Sequence, residues 1–104
     1  MIISTTSLHG VVICQPAIFQ DNRGFFFESW NKREFDQAVA ADISFVQDNR
    51  SHSTRDVLRG LHYQIDPLAQ GKFIGVSQGR IYDVCVDLRQ SSPTFGRSFG
   101  CYLD

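Results

Sequence analysis

Paired cysteines are missing from this sequence. Cys14, Cys85 and Cys101 are odd in number, widely spaced and contain no C-x-x-C pair, which argues against both a disulfide framework and a structural zinc site. A reducing cytoplasm is the expected setting. Charge of one sign is missing too: 10 basic and 11 acidic residues leave a net charge of -1. With no broad field to attract them, neither nucleic acid nor a membrane surface is an expected partner. No segment approaches the roughly 18 apolar residues of a membrane-spanning helix. The opening M-I-I-S-T-T-S-L-H-G has neither the basic start nor the apolar run of a secretory signal. Phosphate-cradling G-x-x-x-x-G-K-[ST] and G-x-G-x-x-G motifs are also missing, so a nucleotide would have to be held by side chains. A metal is not expected, because His62 is followed by Tyr63 and Gln64, and His52 lies ten residues away in a turn-rich stretch.

What the chain does have is phenylalanine, nine in 104 residues, with Phe25, Phe26 and Phe27 consecutive. A β-rich core accounts for them. The length sets one domain, residues 1–104, without repeats or a linker. Val11 to Cys14 and Phe25 to Trp30 are apolar runs bounded by Gln15-Pro16 and by Asp21-Asn22-Arg23-Gly24, and both read as strands. Asn31 can cap one short helix near residues 31–40, with Phe35 and Val39 four apart on one face. From Ile43 the period is two again. Ile43, Phe45, Gln47 and Asn49 share a face, and Val57 to Gln64, Lys72 to Ser77, Arg80 to Leu88 and Phe95 to Leu103 complete an all-β pattern of the sandwich, jelly-roll or barrel kind.

The stretch V-L-R-G-L-H-Y-Q, Val57 to Gln64, followed by Q-G-K, Gln70 to Lys72, sets Arg59, His62 and Lys72 in otherwise apolar surroundings. Each has an ordinary explanation: a strand histidine is commonly a hydrogen-bonded structural group, and edge strands commonly carry lysine. Arg23 can be a turn residue, Glu28 the polar side of its strand, and Gln47 and Asn49 a cross-strand pair. Together they form a cluster of hydrogen-bonding groups suited to an anion with a base beside it, since histidine as a residue type titrates near neutrality. Strand parity opposes a shared site, because Arg59 and His62 differ by three positions and face opposite ways. Only an interruption at Gly60, such as a bulge, would bring them together.

Five runs in order carry a resemblance: D-N-R-G-F-F-F-E-S-W-N (Asp21 to Asn31), F-V-Q-D-N (Phe45 to Asn49), V-L-R-G-L-H-Y-Q, Q-G-K, and D-V-C-V-D-L-R-Q-S-S-P-T-F-G (Asp83 to Gly96). With these the chain closely resembles the dTDP-4-dehydrorhamnose 3,5-epimerase family along essentially its whole length. The resemblance implies an incomplete double-stranded β-helix (cupin jelly roll), forming a homodimer with exchanged N-terminal strands and using no cofactor. It implies epimerisation of dTDP-4-dehydro-6-deoxy-D-glucose to dTDP-4-dehydro-L-rhamnose, a step of dTDP-L-rhamnose supply for cell-surface polysaccharide. His62 matches the family's general base and Lys72 its enolate stabiliser. Gln47, Asn49 and Arg59 match groups that hold the nucleotide and diphosphate. Arg23, Phe26 and Glu28 match contacts to the thymidine end of a ligand in the neighbouring subunit.

Family members continue beyond Asp104. The resemblance implies that the tyrosine acid and the aspartate orienting the histidine lie in that further stretch; Tyr63, Tyr82 and Tyr102 do not match the acid's motif. Asp83 is the one nearby carboxylate to nominate as a replacement orienter. The alternative to an enzyme is a truncated, non-catalytic homologue that binds dTDP-sugar or assembles with itself or a full-length copy.

Overall fold

A computed structural model describes residues 1–104. Their contacts group into two compact units, one of residues 1–43 with 75–104 and one of residues 44–74. In the first unit the β-branched opening Ile2–Thr5 (β1) pairs antiparallel with Val12–Gln15 (β2), Ile3 opposite Cys14. Leu8, in the connection, is buried at 2% exposure. Thr6 fixes this connection: its Oγ1 donates to the Val11 carbonyl at 3.0 Å and accepts from the Leu8 N–H at 3.1 Å. Ile18–Asp21 (β3) and Gly24–Phe27 (β4) form a hairpin whose register sets Phe19 opposite Phe26. Ile81–Val86 (β5) pairs with Ser98–Leu103 (β6) in the longest ladder. Each of the three sheets has two strands.

The single helix, Lys32–Val39 (α1), begins where the sequence expects it. Asn31 Oδ1 accepts from the Glu34 N–H at 3.2 Å, satisfying one of the amides that the first turn leaves without a partner. Phe35 is buried, and its ring lies 4.9 Å from that of Trp30, while Val39 on the same face is half-buried. No helix is long and apolar enough to cross a membrane.

Two strands arise that the sequence did not announce, β1 and β3. Both are four residues long, too short to show a period, and both exist because a neighbour pairs with them. The reverse holds for Ile43 to Arg50, Val57 to Gln64 and Lys72 to Ser77, read from alternation as strands. They form no ladder here. A strand needs a second strand for its N–H and C=O groups, and within residues 44–74 the one backbone–backbone hydrogen bond runs from Leu68 N–H to the Ile65 carbonyl, 2.9 Å. Burial agrees, for Leu8 and Phe35, both in the first unit, are the only buried apolar residues.

One polar cluster organises the β5–β6 connection. Asp87 is buried, 2% exposed at its side chain, and accepts from Arg89 Nε and the Arg89 N–H on Oδ1 and from Arg89 Nη2, Ser92 Oγ and Thr94 Oγ1 on Oδ2. Arg89 also donates to the His9 carbonyl, and the His9 N–H donates to Thr94 Oγ1 at 3.1 Å, so the β1–β2 connection is tied to the same carboxylate. In the ladder itself, the Tyr82 and Tyr102 rings lie 4.9 Å apart, with the Arg80 guanidinium 4.1 Å over Tyr102. Gly100 leaves the room this arrangement needs, since a Cβ there would fall 2.5 Å from the Tyr82 hydroxyl and 2.7 Å from Cζ. Gly100→Ala should therefore displace the Tyr82 ring and cost about 1 kcal/mol. Thermal denaturation checks this, and the penalty should shrink in a Tyr82→Ala background.

Candidate active site

The nominated residues lie in both units. In the first, Arg23 occupies the β3–β4 turn. Its N–H donates to Asp21 Oδ1 at 2.8 Å, and Nε and Nη2 donate to Asp21 Oδ2 at 3.1 and 2.6 Å. The Arg23 guanidinium holds the Asp21 carboxyl below the usual carboxylate range, and Asp21 in turn raises Arg23. As Arg23 is 86% exposed, this pair orients a side chain more than it stabilises the fold. Gly24 follows at φ +131°, a value that side-chain-bearing residues rarely adopt, and lets the chain enter β4 directly. Arg23 and Phe26 line a shallow depression of about 480 Å³ with Phe19, Gln20 and Phe25. Its lining joins three phenylalanine rings, flat apolar surface on which a ring can stack, to the Arg23–Asp21 pair, so that the one cation present is already shared with a carboxylate. Glu28, just beyond β4, accepts from Asn31 Nδ2 at 3.0 Å.

Asp83 sits on β5 opposite Cys101 and is half-buried. The same face carries Cys85, whose thiol is pushed up by burial and then by the negative charge of Asp83 and by Cys101.

Residues 44–74 hold Gln47, Asn49, Arg59, His62 and Lys72, all exposed. Gln47 Nε2 donates to Asn49 Oδ1 at 3.2 Å, as two carboxamides on one side of an extended chain can. Arg59 is aimed by the preceding turn: Nε donates to Ser53 Oγ at 2.9 Å and Nη2 to the His52 carbonyl at 3.1 Å. The sequence reading did not single out Ser53, and no pattern could have done so, because its role depends on a turn folding back over six residues. Gly60 has φ +107°, which breaks the alternation between Arg59 and His62. This is the place where the parity conflict required an interruption, although without a ladder it is not a bulge. A Cβ on Gly60 would lie 3.7 Å from His62 Nδ1, an ordinary contact, so the backbone angle and not space requires glycine.

The dTDP-4-dehydrorhamnose 3,5-epimerase family profile matches residues 5–104. A dTDP-4-dehydrorhamnose 3,5-epimerase of Shigella flexneri is 50% identical over 103 residues, covering 99% of this chain and 57% of that protein. The crystal structure of the Elizabethkingia anophelis enzyme of the same name superposes with a TM-score of 0.94 at 42% identity, over 100% of this chain and 57% of that one. A Legionella pneumophila dTDP-6-deoxy-D-glucose-3,5-epimerase, solved in complex with dTDP-4-keto-L-rhamnose, superposes with a TM-score of 0.90 at 43% identity, over 98% of this chain and 54% of that one. The chain thus spans just over half the length of each of these three relatives. The mostly-β architecture with one short helix is part of a cupin jelly roll. With a profile match over residues 5–104 and half-identical relatives along nearly all of it, the chain belongs to the dTDP-4-dehydrorhamnose 3,5-epimerase family.

Proposed function

We propose that residues 1–104 are the N-terminal portion of a single-domain, cytoplasmic epimerase acting on dTDP-4-dehydro-6-deoxy-D-glucose. The observation that carries this reading is the likeness, over 98% of the chain, to a relative solved with dTDP-4-keto-L-rhamnose. A hydrogen on carbon beside a ketone leaves as a proton only if the enolate is stabilised as it forms. In this reading the His62 imidazole takes that proton, and the electron pair moves onto the ketone oxygen, which faces the Lys72 ammonium. An acid then delivers a proton to the opposite face of the carbon, and the centre is inverted with no net change in composition. The resemblance assigns that acid, a tyrosine, to the part of the family outside this chain. The resemblance assigns the aspartate that orients His62 to that same part, and Asp83 is proposed as its replacement where that part is lacking. No redox cofactor is called for, because no electrons leave the substrate.

Binding falls to the other nominated groups. Arg59, oriented by Ser53 and the His52 carbonyl, offers its remaining N–H groups to the diphosphate, with Gln47 and Asn49 on the nucleotide. Arg23, Phe26 and Glu28 take the thymidine end of a ligand in a partner subunit. A homodimer with exchanged N-terminal strands fits the β3–β4 hairpin, where Phe19, Phe25 and Phe26 are 65%, 68% and 70% exposed. Aromatic rings on both faces of a two-stranded hairpin call for a covering surface.

Solvent deuterium incorporation into the 4-keto sugar, read by mass spectrometry against a protein-free blank, tests catalysis. A second reading, a non-catalytic dTDP binder, draws on the presence of all these binding groups in a chain spanning about half of its relatives. Absence of incorporation by folded protein that still binds dTDP would favour it. In either reading Arg59→Ala should weaken dTDP binding about 10- to 100-fold, the range for losing charge-assisted hydrogen bonds. An unchanged calorimetric isotherm would remove Arg59 from the site.

A further inference from the structure

Both arginines nominated for the ligand are held along the same edge of the guanidinium, by chemically different partners. Arg23 gives Nε and Nη2 to the Asp21 carboxylate, so its charge is met before any ligand arrives. Arg59 gives Nε to Ser53 Oγ at 2.9 Å and Nη2 to the His52 carbonyl at 3.1 Å, and both of these acceptors are neutral. Its positive charge is left for a ligand. A guanidinium is a planar fork of N–H donors, so occupation of the Nε–Nη2 edge leaves the terminal edge open, with both Nη1 donors and one on Nη2. The chain reaches this arrangement through a turn at Arg55–Asp56, where Asp56 takes φ +63°, a left-handed angle that aspartate visits more readily than most side chains do. Ser53 and Arg59 are both exposed, and a phosphoryl group can reach that terminal edge.

We propose that Ser53 is a positioning residue for diphosphate binding: its hydroxyl holds Arg59 by Nε, so that the guanidinium meets two oxygens of one phosphoryl group end-on, through Nη1 and Nη2, with its charge uncancelled. The proposal rests on the reading of Arg59 as a holder of the diphosphate. Fixing the side chain beforehand removes rotamer freedom that binding would otherwise have to remove. A hydroxyl does this without the competing negative charge that a carboxylate at position 53 would bring. Its effect is confined to the phosphoryl group, and recognition of the nucleoside does not depend on it.

The test titrates the 104-residue chain and its Ser53 variants calorimetrically with dTDP, thymidine and inorganic pyrophosphate. Ser53→Ala should weaken dTDP and pyrophosphate about 3- to 10-fold and leave thymidine unchanged. Ser53→Thr, which keeps the hydroxyl, should restore both anions to within about twofold. Ser53→Asp keeps an acceptor for Nε and adds a negative charge, so it should weaken both anions more than Ser53→Ala does, the reverse of what a merely structural hydrogen bond predicts. In an Arg59→Lys background, where no Nε–H exists for the hydroxyl to hold, Ser53→Ala should change pyrophosphate affinity less than about twofold. Equal affinities of wild type and Ser53→Ala for both anions overturn the proposal. So does a loss that Ser53→Thr fails to restore or that reaches thymidine equally, which would make Ser53 a support of the fold. Ser53-dependent binding of pyrophosphate without binding of dTDP would leave the positioning role standing and overturn the nucleotide reading. Binding of neither anion by the folded wild-type chain would overturn both.

Discussion

Replacing His62 with alanine should reduce solvent deuterium incorporation into the 4-keto sugar by about 100- to 10,000-fold, the usual contribution of a positioned general base. dTDP affinity should stay within about twofold, because the imidazole faces the sugar ring and not the nucleotide in the proposed site. The contrast with Arg59→Ala gives the test its meaning: one variant loses exchange and keeps binding, the other loses binding. Lys72→Gln should resemble His62→Ala, since without the ammonium the enolate forms with no counter-charge. Loss of exchange together with loss of binding would show that His62 supports the pocket and is not its base. Undiminished exchange would remove the assignment altogether.

The largest stability effect should come from Asp87. Its carboxylate gathers two guanidinium nitrogens of Arg89, two hydroxyls and a backbone amide while lying out of solvent. Removing it leaves Arg89, Ser92 and Thr94 without their shared acceptor and releases the tie to the His9 loop. Asp87→Ala should lower the thermal midpoint by roughly 10 °C or more. Arg89, then Ser92 and Thr94, hold the Asp87 carboxyl well below the usual carboxylate range. A carboxyl depressed in the folded state contributes its full stability above the unfolded pKa of about 3.9 and loses it as pH falls toward the folded value. The gap in thermal midpoint between wild type and Asp87→Asn should thus be constant near neutrality and narrow as pH drops below about 4. A gap independent of pH would mean that packing and not the charge is what Asp87 supplies.

Much of the fold was legible because its causes are local. Asn31 as a cap ahead of a Phe35–Val39 face is enough to start a helix, and the helix is there. Asp21-Asn22-Arg23-Gly24 reads as a turn because an aspartate side chain can hold the amide two residues on, as Asp21 does. The β5–β6 strands were visible as long alternating runs, trimmed at their ends to Ile81–Val86 and Ser98–Leu103. The segments around Arg59 and Lys72 were read as strands with equal reason and did not form ladders. Alternation reports a face and says nothing about whether a partner strand is within reach.

The sequence alone determined the family, the mostly-β character and the capped helix, and it nominated the residues of the proposed site, because motif order, capping and turn chemistry are written in consecutive residues. Only the tertiary structure decided that Asp87 is the buried knot of the β5–β6 connection, that Ser53 aims Arg59, that Gly60 turns the chain between Arg59 and His62, and that residues 44–74 form no ladder. Hydrogen bonds and ladders join groups distant along the chain, and whether such groups meet is set by the folded path and by no local pattern of residues.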